Sequence, residues 1–223
     1  TPPEKSGLRD LTPDIVRELT VQHDLRLDTI LPDDERDACR ARAMRGRWDD
    51  DLWIFGYGSL MWDPGLLFCE LRRAHAPGLE RRFILVDQNG ARGMPGRPGV
   101  MAALDLGSGC DGMIFRIPRD VLDDETRRLW NRERIEAGYQ PAFVTVDTEI
   151  GPIEVLTFLA DHDAPQIDAS LSHADQVRFC ATGHGILGSS RDYLEALARG
   201  LAAMGIEDPH VTSFLEDVRA YRE

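Results

Sequence analysis

The chain has 223 residues and a formal net charge of −13, from 26 lysines and arginines against 39 aspartates and glutamates. This charge argues against general affinity for nucleic acid or for an anionic membrane surface, although a local pocket can still hold a small anion. A hydrophobic content of 42% is ordinary for a globular protein, and no apolar run approaches the ~20 residues of a membrane-spanning helix. The length suits one domain, which we place at residues 51–223, preceded by a partly helical N-terminal extension over residues 1–50.

The four cysteines are widely separated and form no C-x-x-C pair. This spacing predicts neither a zinc ribbon nor a disulfide framework, and it favours buried thiols in a reducing, cytoplasmic compartment. The opening residues 1–5 contain no signal-peptide core, which agrees with that compartment.

The sequence predicts that the first elements are two helices and a strand. Thr12 followed by Pro13 predicts a helix start, with a side chain able to cap the helix and a proline in its first turn. The charged residues 33–42 predict a second helix, exposed and rich in salt bridges. Residues 53–56 form a short apolar run of aromatic and β-branched side chains, which predicts a buried strand.

Strands dominate the middle of the chain and helices its last third. A helix is expected from near Asp120 to Ile135, and two more after the capping signals at Ser189 and Asp208. This order indicates an α+β fold with a mixed or closed sheet. The expected strands of the middle region cover residues 79–86, 100–106, 112–117, 142–146 and 155–159.

Two glycine-rich segments are candidates for binding. The turn at residues 56–59 (Gly-Tyr-Gly-Ser) directly follows the buried strand, and its bare backbone N–H groups suit a carboxylate or a developing oxyanion. A plain strand-end turn is the alternative. The loop at residues 89–99 carries Arg92 and Arg97, whose planar side chains suit a carboxylate, although a simple connection explains the loop equally well.

Glu133 is the candidate acid or base. It falls near the end of its expected helix, where the helix dipole disfavours a charged carboxylate, whereas Arg132 and Arg134 favour one. In a dry pocket its pKa would rise toward the range of a useful base. The alternative is a surface ion pair. The histidines form no metal-binding motif, and neither a G-x-S-x-G elbow nor a nucleotide-binding glycine pattern is present, so we expect no metal and no nucleotide.

Together these segments resemble the ChaC-like γ-glutamylcyclotransferases. The resemblance covers about residues 52–221 and includes the family's opening signature, its Arg-Gly-x-Pro loop, the segment with its essential glutamate, and its C-terminal pattern. The matching segments are residues 53–65, 92–99, 129–133 with 138–139, 188–194 and 205–211.

The resemblance implies a γ-glutamylcyclotransferase-like fold, built around a small mixed β-barrel or sheet with flanking helices. It also implies a lyase that degrades glutathione to 5-oxoproline and Cys-Gly without a cofactor, with Glu133 as general acid/base. Action on other γ-glutamyl peptides or amines, or a catalytically silent protein that binds γ-glutamyl compounds, are the alternatives. The oligomeric state is open. The expected substrate-binding residues are Gly56, Tyr57, Gly58, Ser59, Leu60 and Met61, followed by Arg92, Tyr139 and Tyr193.

Overall fold

The structure is a computed structural model that describes residues 2–222. Its central feature is a mixed seven-stranded sheet in the order β1-β5-β2-β6-β7-β4-β3. A separate two-stranded ribbon, β8 (His184–Gly185) and β9 (Gly188–Ser189), precedes the C-terminal helices. The strands of the large sheet are β1 (Leu52–Gly56), β2 (Glu70–Ala76), β3 (Leu79–Asp87), β4 (Gly99–Leu106), β5 (Cys110–Ile117), β6 (Tyr139–Thr148) and β7 (Gly151–Ala160).

Five of these strands close into a small barrel. Strand β1 pairs with β5 on one side and, in parallel, with β7 on the other, where Ile54 lies opposite Leu156. The remaining contacts of the ring are antiparallel, from β5 through β2 and β6 to β7. Strand β4 then extends β7 in parallel at Leu104, and β3 pairs with β4 as a hairpin. The expected small mixed barrel is therefore confirmed.

Six α-helices in residues 2–222 surround the sheet, and three of them begin at caps that the sequence signals predict. The Thr12 side chain accepts from the Ile15 amide, Ser189 and Asp192 form a capping box, and Asp208 caps the last helix. The helices are α1 (Pro13–Gln22), α2 (Asp33–Ala43), α3 (Leu122–Glu133), α4 (His173–Thr182), α5 (Ser190–Ala203) and α6 (Pro209–Ala220). Within residues 2–222, none of them has the length and apolar character needed to cross a bilayer.

The core lies between the sheet and the helices α3 to α6. Helix α5 buries Tyr193, Leu194, Leu197 and Leu201, the apolar stripe that its sequence predicts, because residues three and four apart share one helix face. On α3, Trp130 packs edge-on against Phe158 of β7, with the ring centroids 5.1 Å apart. This packing fixes where α3 ends relative to the barrel.

Helix α2 is not exposed all round, contrary to the expectation from its charged sequence. Arg36 and Cys39, three residues apart and therefore on one face, are both only 3% exposed. Arg40 donates to the Thr126 hydroxyl at 2.9 Å and to the Asp123 carboxylate at 2.8 Å, both on α3. The buried face was missed because arginines in a charged sequence are usually solvated. Here Arg40 satisfies polar groups of α3. Arg36 donates to the Leu31 carbonyl and the Asp33 carboxylate.

The N-terminal segment also packs against the rest of the chain through a buried ion pair. Arg9 donates to both carboxylate oxygens of Glu125, at 2.9 and 2.7 Å, and to the Gly65 carbonyl at 2.8 Å. Glu125 is only 1% exposed. Further along, the Leu31 amide donates to the Ile135 carbonyl. A division of the chain at residues 50 and 51 stays a prediction.

Candidate active site

A cleft of about 730 Å³ opens between the β3–β4 hairpin, the end of α3 and the start of α5. A smaller cavity of about 20 Å³ adjoins it, against the turn that follows β1. Four of the residues expected at the site line both spaces: Ser59, Glu133, Tyr139 and Tyr193. The structure therefore brings together residues that are up to 134 positions apart in the sequence.

Glu133 is the last residue of α3. The helix buries Leu129 and Trp130 against the barrel, and this packing carries the next turn, with Glu133, to the cavity. Its side chain is 13% exposed, and burial raises the pKa of its carboxyl above the usual range, partly opposed by the charge of Arg132. Glu133 is thus not a solvated surface residue, and a buried carboxyl with a raised pKa suits proton transfer.

Arg132 connects Glu133 to the turn after β1. Its Nε lies 3.2 Å from Glu133 Oε1, and its Nη2 donates to Ser59 Oγ at 2.6 Å. Its Nη1 donates to the carbonyls of Asp63 and Pro64, at 2.7 and 3.1 Å. From the sequence Arg132 was only a charge beside Glu133. Its position next to Glu133 was the one sequence signal that Arg132 could bridge this carboxylate and the turn.

The turn after β1 presents free backbone donors. A short 3₁₀ turn, Ser59–Met61, follows directly on Gly58, and the N–H groups at such a start have no acceptor inside the turn. The amides of Gly58, Ser59 and Leu60 have no hydrogen-bond acceptor anywhere in residues 2–222. All three residues line the smaller cavity together with Glu133. The arrangement offers amide donors and a carboxylate to one small group.

Gly56 and Met61 lie behind this turn. Among the described residues they line neither the cleft nor the smaller cavity. A side chain at Gly56 would place its Cβ 2.9 Å from that of Leu60 and 3.1 Å from the Phe115 ring, so the glycine allows the turn to close on the barrel. Met61 is buried in the main core. The structure gives both residues a packing role, and any direct part in binding stays a prediction.

Three tyrosines surround Glu133. The hydroxyl of Tyr57 donates to the Phe158 carbonyl at 2.9 Å, and that of Tyr139 donates to the Ala102 carbonyl at 2.8 Å. Burial is the main cause that raises the pKa of all three hydroxyls, well above the usual value for Tyr57 and Tyr139 and to about 12 for Tyr193, and the charge of Glu133 adds to the shift. At neutral pH these groups are therefore neutral hydrogen-bonding partners rather than bases.

Arg92 stands on the glycine-rich loop, at the wall of the cleft. It donates to the Leu187 carbonyl, and its guanidinium carbon lies 5.8 Å from the centre of the Tyr193 ring. Burial lowers the pKa of Arg92, although a guanidinium keeps its charge at neutral pH. Arg97, the other arginine of this loop, is exposed. The loop therefore directs one of its two cations to the site.

Asp87 holds this loop in shape. Its buried carboxylate accepts from the amides of Asn89 at 2.9 Å, Gly93 at 2.7 Å and Arg92. Burial raises the pKa of the Asp87 carboxyl, and these three amide bonds oppose that rise. Sequence reasoning did not single out Asp87. An aspartate at a strand end before a Gly/Pro-rich loop is nevertheless a recognised turn signal.

The N-terminal segment supplies part of the cleft wall, which the sequence did not indicate. Leu8, Leu11, Arg26 and Thr29 line the cleft. The Asn89 side chain joins this segment to the loop: its Nδ2 donates to Thr29 Oγ1 at 2.6 Å, and its Oδ1 accepts from the Arg26 amide at 2.9 Å. Residues 1–50, which lie outside the family resemblance, and the loop at residues 89–99, which lies inside it, thus form one wall of the cleft.

The described part of the chain holds no cluster of three or more His, Cys, Asp or Glu side chains arranged to bind a metal ion. The site includes the buried carboxylate of Glu133, free amides, neutral phenols and the cations Arg92 and Arg132, and the cleft is also lined by the carboxylates of Asp87 and Glu136. Such groups bind and orient a polar small molecule and move a proton.

The fold matches that of known cyclotransferases. A crystal structure of a γ-glutamyl cyclotransferase specific to glutathione from yeast has a TM-score of 0.73 and 22% sequence identity, and the match covers 78% of this chain and 98% of that one. At this level of identity the similarity shows the fold. The expected γ-glutamylcyclotransferase-like fold is therefore confirmed.

Sequence comparison points in the same direction. The glutathione-specific gamma-glutamylcyclotransferase of Escherichia coli is 32% identical over 188 residues, which cover 83% of this chain and 81% of that protein. The glutathione-specific gamma-glutamylcyclotransferase 1 of Rattus norvegicus is 31% identical over 193 residues, covering 80% and 85%. The model of the ChaC-like protein family matches residues 52–221. The chain belongs to the ChaC-like protein family.

Proposed function

We propose that the protein is a γ-glutamylcyclotransferase, a lyase that cleaves glutathione into 5-oxoproline and cysteinylglycine. The observation that carries this proposal is the buried carboxylate of Glu133 beside three amides without acceptors, in one small cavity. The relatives from E. coli and rat support it, because their names state the same activity. We place the enzyme in the cytoplasm, the compartment that its widely spaced cysteines predict.

The reaction needs no nucleophile from the protein. The α-amine of the γ-glutamyl group attacks the γ-carbonyl carbon and closes a five-membered ring, and the bond from that carbon to the cysteine nitrogen then breaks. Both reacting groups belong to one molecule, so holding them close in a bent conformation removes much of the barrier. The protein's tasks are to bend the substrate, to move protons and to stabilise the intermediate.

Glu133 is proposed as the group that moves the proton. It takes a proton from the attacking amine and returns one to the departing nitrogen of cysteinylglycine. Its raised pKa brings the carboxyl closer to neutral pH, where both steps are possible. Arg132, 3.2 Å from Glu133 Oε1, keeps the carboxylate in position between the turn and the cavity.

The amides of Gly58, Ser59 and Leu60 are proposed as the binding site for the γ-glutamyl end. In the tetrahedral intermediate the carbonyl oxygen becomes negative, and preorganised N–H donors stabilise it in a site from which water is excluded. They suit the α-carboxylate for the same reason. Arg92 is proposed to attract a carboxylate of the substrate, and the neutral hydroxyls of Tyr139 and Tyr193 to contact its polar groups.

Product analysis tests this function. Purified protein incubated with glutathione is expected to release 5-oxoproline and cysteinylglycine in equal amounts, as measured by liquid chromatography. Release of free glutamate instead would mean hydrolysis and would contradict the cyclisation. Glutathione acetylated on its α-amine serves as the matched control, because it lacks the attacking amine and is expected to stay intact. A panel of γ-glutamyl dipeptides and amines tests the breadth of the substrate range.

A further inference from the structure

Arg81 is a buried charge outside the site described so far. It lies on β3, its side chain is 2% exposed, and it lines neither the cleft nor the smaller cavity. Each of its three guanidinium nitrogens donates to a different segment: Nε to the Tyr57 carbonyl at 2.7 Å, Nη2 to the Asp111 carbonyl at 2.8 Å, and Nη1 to the Asp208 carboxylate. Burying such a charge costs free energy even when it is paired, so stability alone is a weak reason for its presence.

The contact with Tyr57 sets the direction of the next amide. The Tyr57–Gly58 peptide is trans, like every peptide of the described chain, and in a planar trans peptide the C=O and N–H groups point in opposite directions. Because the Tyr57 carbonyl is directed at Arg81, the Gly58 N–H is directed away from it. That N–H has no acceptor in residues 2–222, and Gly58 lines the cavity that contains Glu133.

Asp208 in turn fixes Arg81. One of its carboxylate oxygens caps α6 by accepting from the Val211 amide at 2.9 Å, and the other pairs with Arg81. On the far side of the turn, Arg81 Nη2 lies 4.0 Å from the sulfur of Met61. The guanidinium is therefore held by a helix start and touches both flanks of the turn.

We propose that Arg81, anchored by Asp208, is a positioning residue that aims the Gly58 N–H at the oxyanion of the reaction. The inference rests on the proposed function, because it needs a negative oxygen in the cavity. A planar guanidinium can serve the three acceptors at once, whereas the compact ammonium of lysine cannot match that geometry. An amide that meets the oxygen only in the transition state changes kcat and leaves KM unchanged.

The test compares Arg81→Lys with Arg82→Lys. Arg82 is the next residue of the same strand, is 34% exposed and pairs with the buried Asp105, so it tests the same substitution at a site away from the turn. With glutathione as substrate, Arg81→Lys is expected to lower kcat by about 10- to 100-fold at constant KM, since losing a whole oxyanion donor costs about 10²–10³. Arg82→Lys is expected to keep both constants within about twofold, because lysine keeps the positive charge beside Asp105 and the site makes no contact with the turn.

The pH dependence separates positioning from general damage. If Arg81 acts only on the amide, the acid limb set by Glu133 stays in place in Arg81→Lys while kcat falls at every pH. A displaced limb or a KM that rises with the fall in kcat overturns the inference, and so does a folded Arg81→Lys protein with the kcat of the wild type.

A second variant covers the case in which Arg81→Lys does not fold. Asp208→Asn keeps a side-chain oxygen to cap α6 but removes the charge that holds Arg81, and it is expected to lower kcat by about 3- to 10-fold at constant KM, a smaller effect than losing a donor outright. Unchanged kcat in Asp208→Asn then overturns the inference. A wild type that forms no 5-oxoproline removes the proposed function and this inference with it, whereas an active wild type with insensitive variants removes the inference alone.

Discussion

Glu133 and Arg132 act as one unit at the scale of single residues. Burial favours the neutral carboxyl of Glu133, and the adjacent guanidinium favours the charged form. The first effect is the larger, so the pKa of Glu133 lies above that of an ordinary glutamate. In the proposed mechanism the base is the carboxylate of Glu133, which exists only above this raised pKa.

The pH dependence of the wild type follows from this balance. Activity should be present above the pKa of Glu133 and should be lost as the pH falls through it. The acid limb of kcat/KM is therefore expected above the ordinary glutamate value of about 4.3. Initial rates of 5-oxoproline release between pH 4 and 8 measure it. A limb at or below about 4 would show that burial does not control this group.

Removing Arg132 should move the same limb. Its charge lowers the pKa of Glu133, so Arg132→Met is expected to shift the acid limb to higher pH. It should also reduce kcat, because Ser59 of the turn loses its hydrogen bond from Arg132. Arg127→Met is the control, since Arg127 is an exposed residue of the same helix that pairs with Asp123. The pH profile of kcat/KM gives the acid limb of each variant. An acid limb at the same pH in Arg132→Met and Arg127→Met would contradict the coupling of Arg132 to Glu133.

At the scale of elements, α3 is held by the N-terminal segment through the pair of Arg9 and Glu125. Both side chains are largely buried, and the Glu125 carboxylate also accepts from the Leu67 amide at 2.9 Å. Arg9 precedes α1, Leu67 follows the glycine turn, and Glu125 lies on α3, the helix that ends in Glu133. The ion pair therefore joins these three segments. The position of the catalytic candidate depends on this junction.

Breaking that pair should destabilise the protein strongly. Arg9→Met leaves the Glu125 carboxylate buried without its cation, which is expected to cost about 3–5 kcal/mol in the free energy of unfolding. Arg17→Met removes a similar arginine from the exposed pairs with Asp14 and Asp33 and is expected to cost less than about 1 kcal/mol. Urea denaturation measures both. Equal costs would mean that Arg9 is not a buried partner in solution.

At the scale of the whole molecule, local signals predicted most of the elements. The caps at Thr12, Ser189 and Asp208 mark real helix starts, because capping is a contact within a few residues. Local patterns singled out the glycine turn and Glu133 as candidates, and the family resemblance supplied their expected roles. The closure of the barrel at Ile54 and Leu156 follows no local rule, since it joins strands about 100 residues apart.

What the sequence did not reveal are the long-range supports of the site. Arg81, Asp87 and Asn89 look like ordinary residues of a strand and its loop, and their partners lie in distant segments or in backbone groups of the turns. The N-terminal segment looked like an addition because its sequence is polar. Several of its contacts are made by arginines such as Arg9 and Arg40, whose buried partners on α3 are not visible in the sequence.

Residues 1–50 are expected to contribute to the stability of the whole protein. Because Cys39 and Met44 belong to the main core and Arg9 neutralises Glu125, a chain without this segment is expected to melt about 10 °C lower. Differential scanning calorimetry of the chain with and without residues 1–50 measures the change. An unchanged midpoint would show that residues 51–223 carry all of the stability.

The most direct test is the release of 5-oxoproline from glutathione by wild type and Glu133→Gln. The amide keeps the size of the side chain but can neither accept nor return the proton, so kcat is expected to fall by at least about 100-fold. Glu216→Gln, the same change at an exposed site on α6, is expected to leave kcat unchanged. Glu133→Gln that melts like the wild type and keeps its rate within about threefold would contradict the assignment of Glu133 as the acid/base.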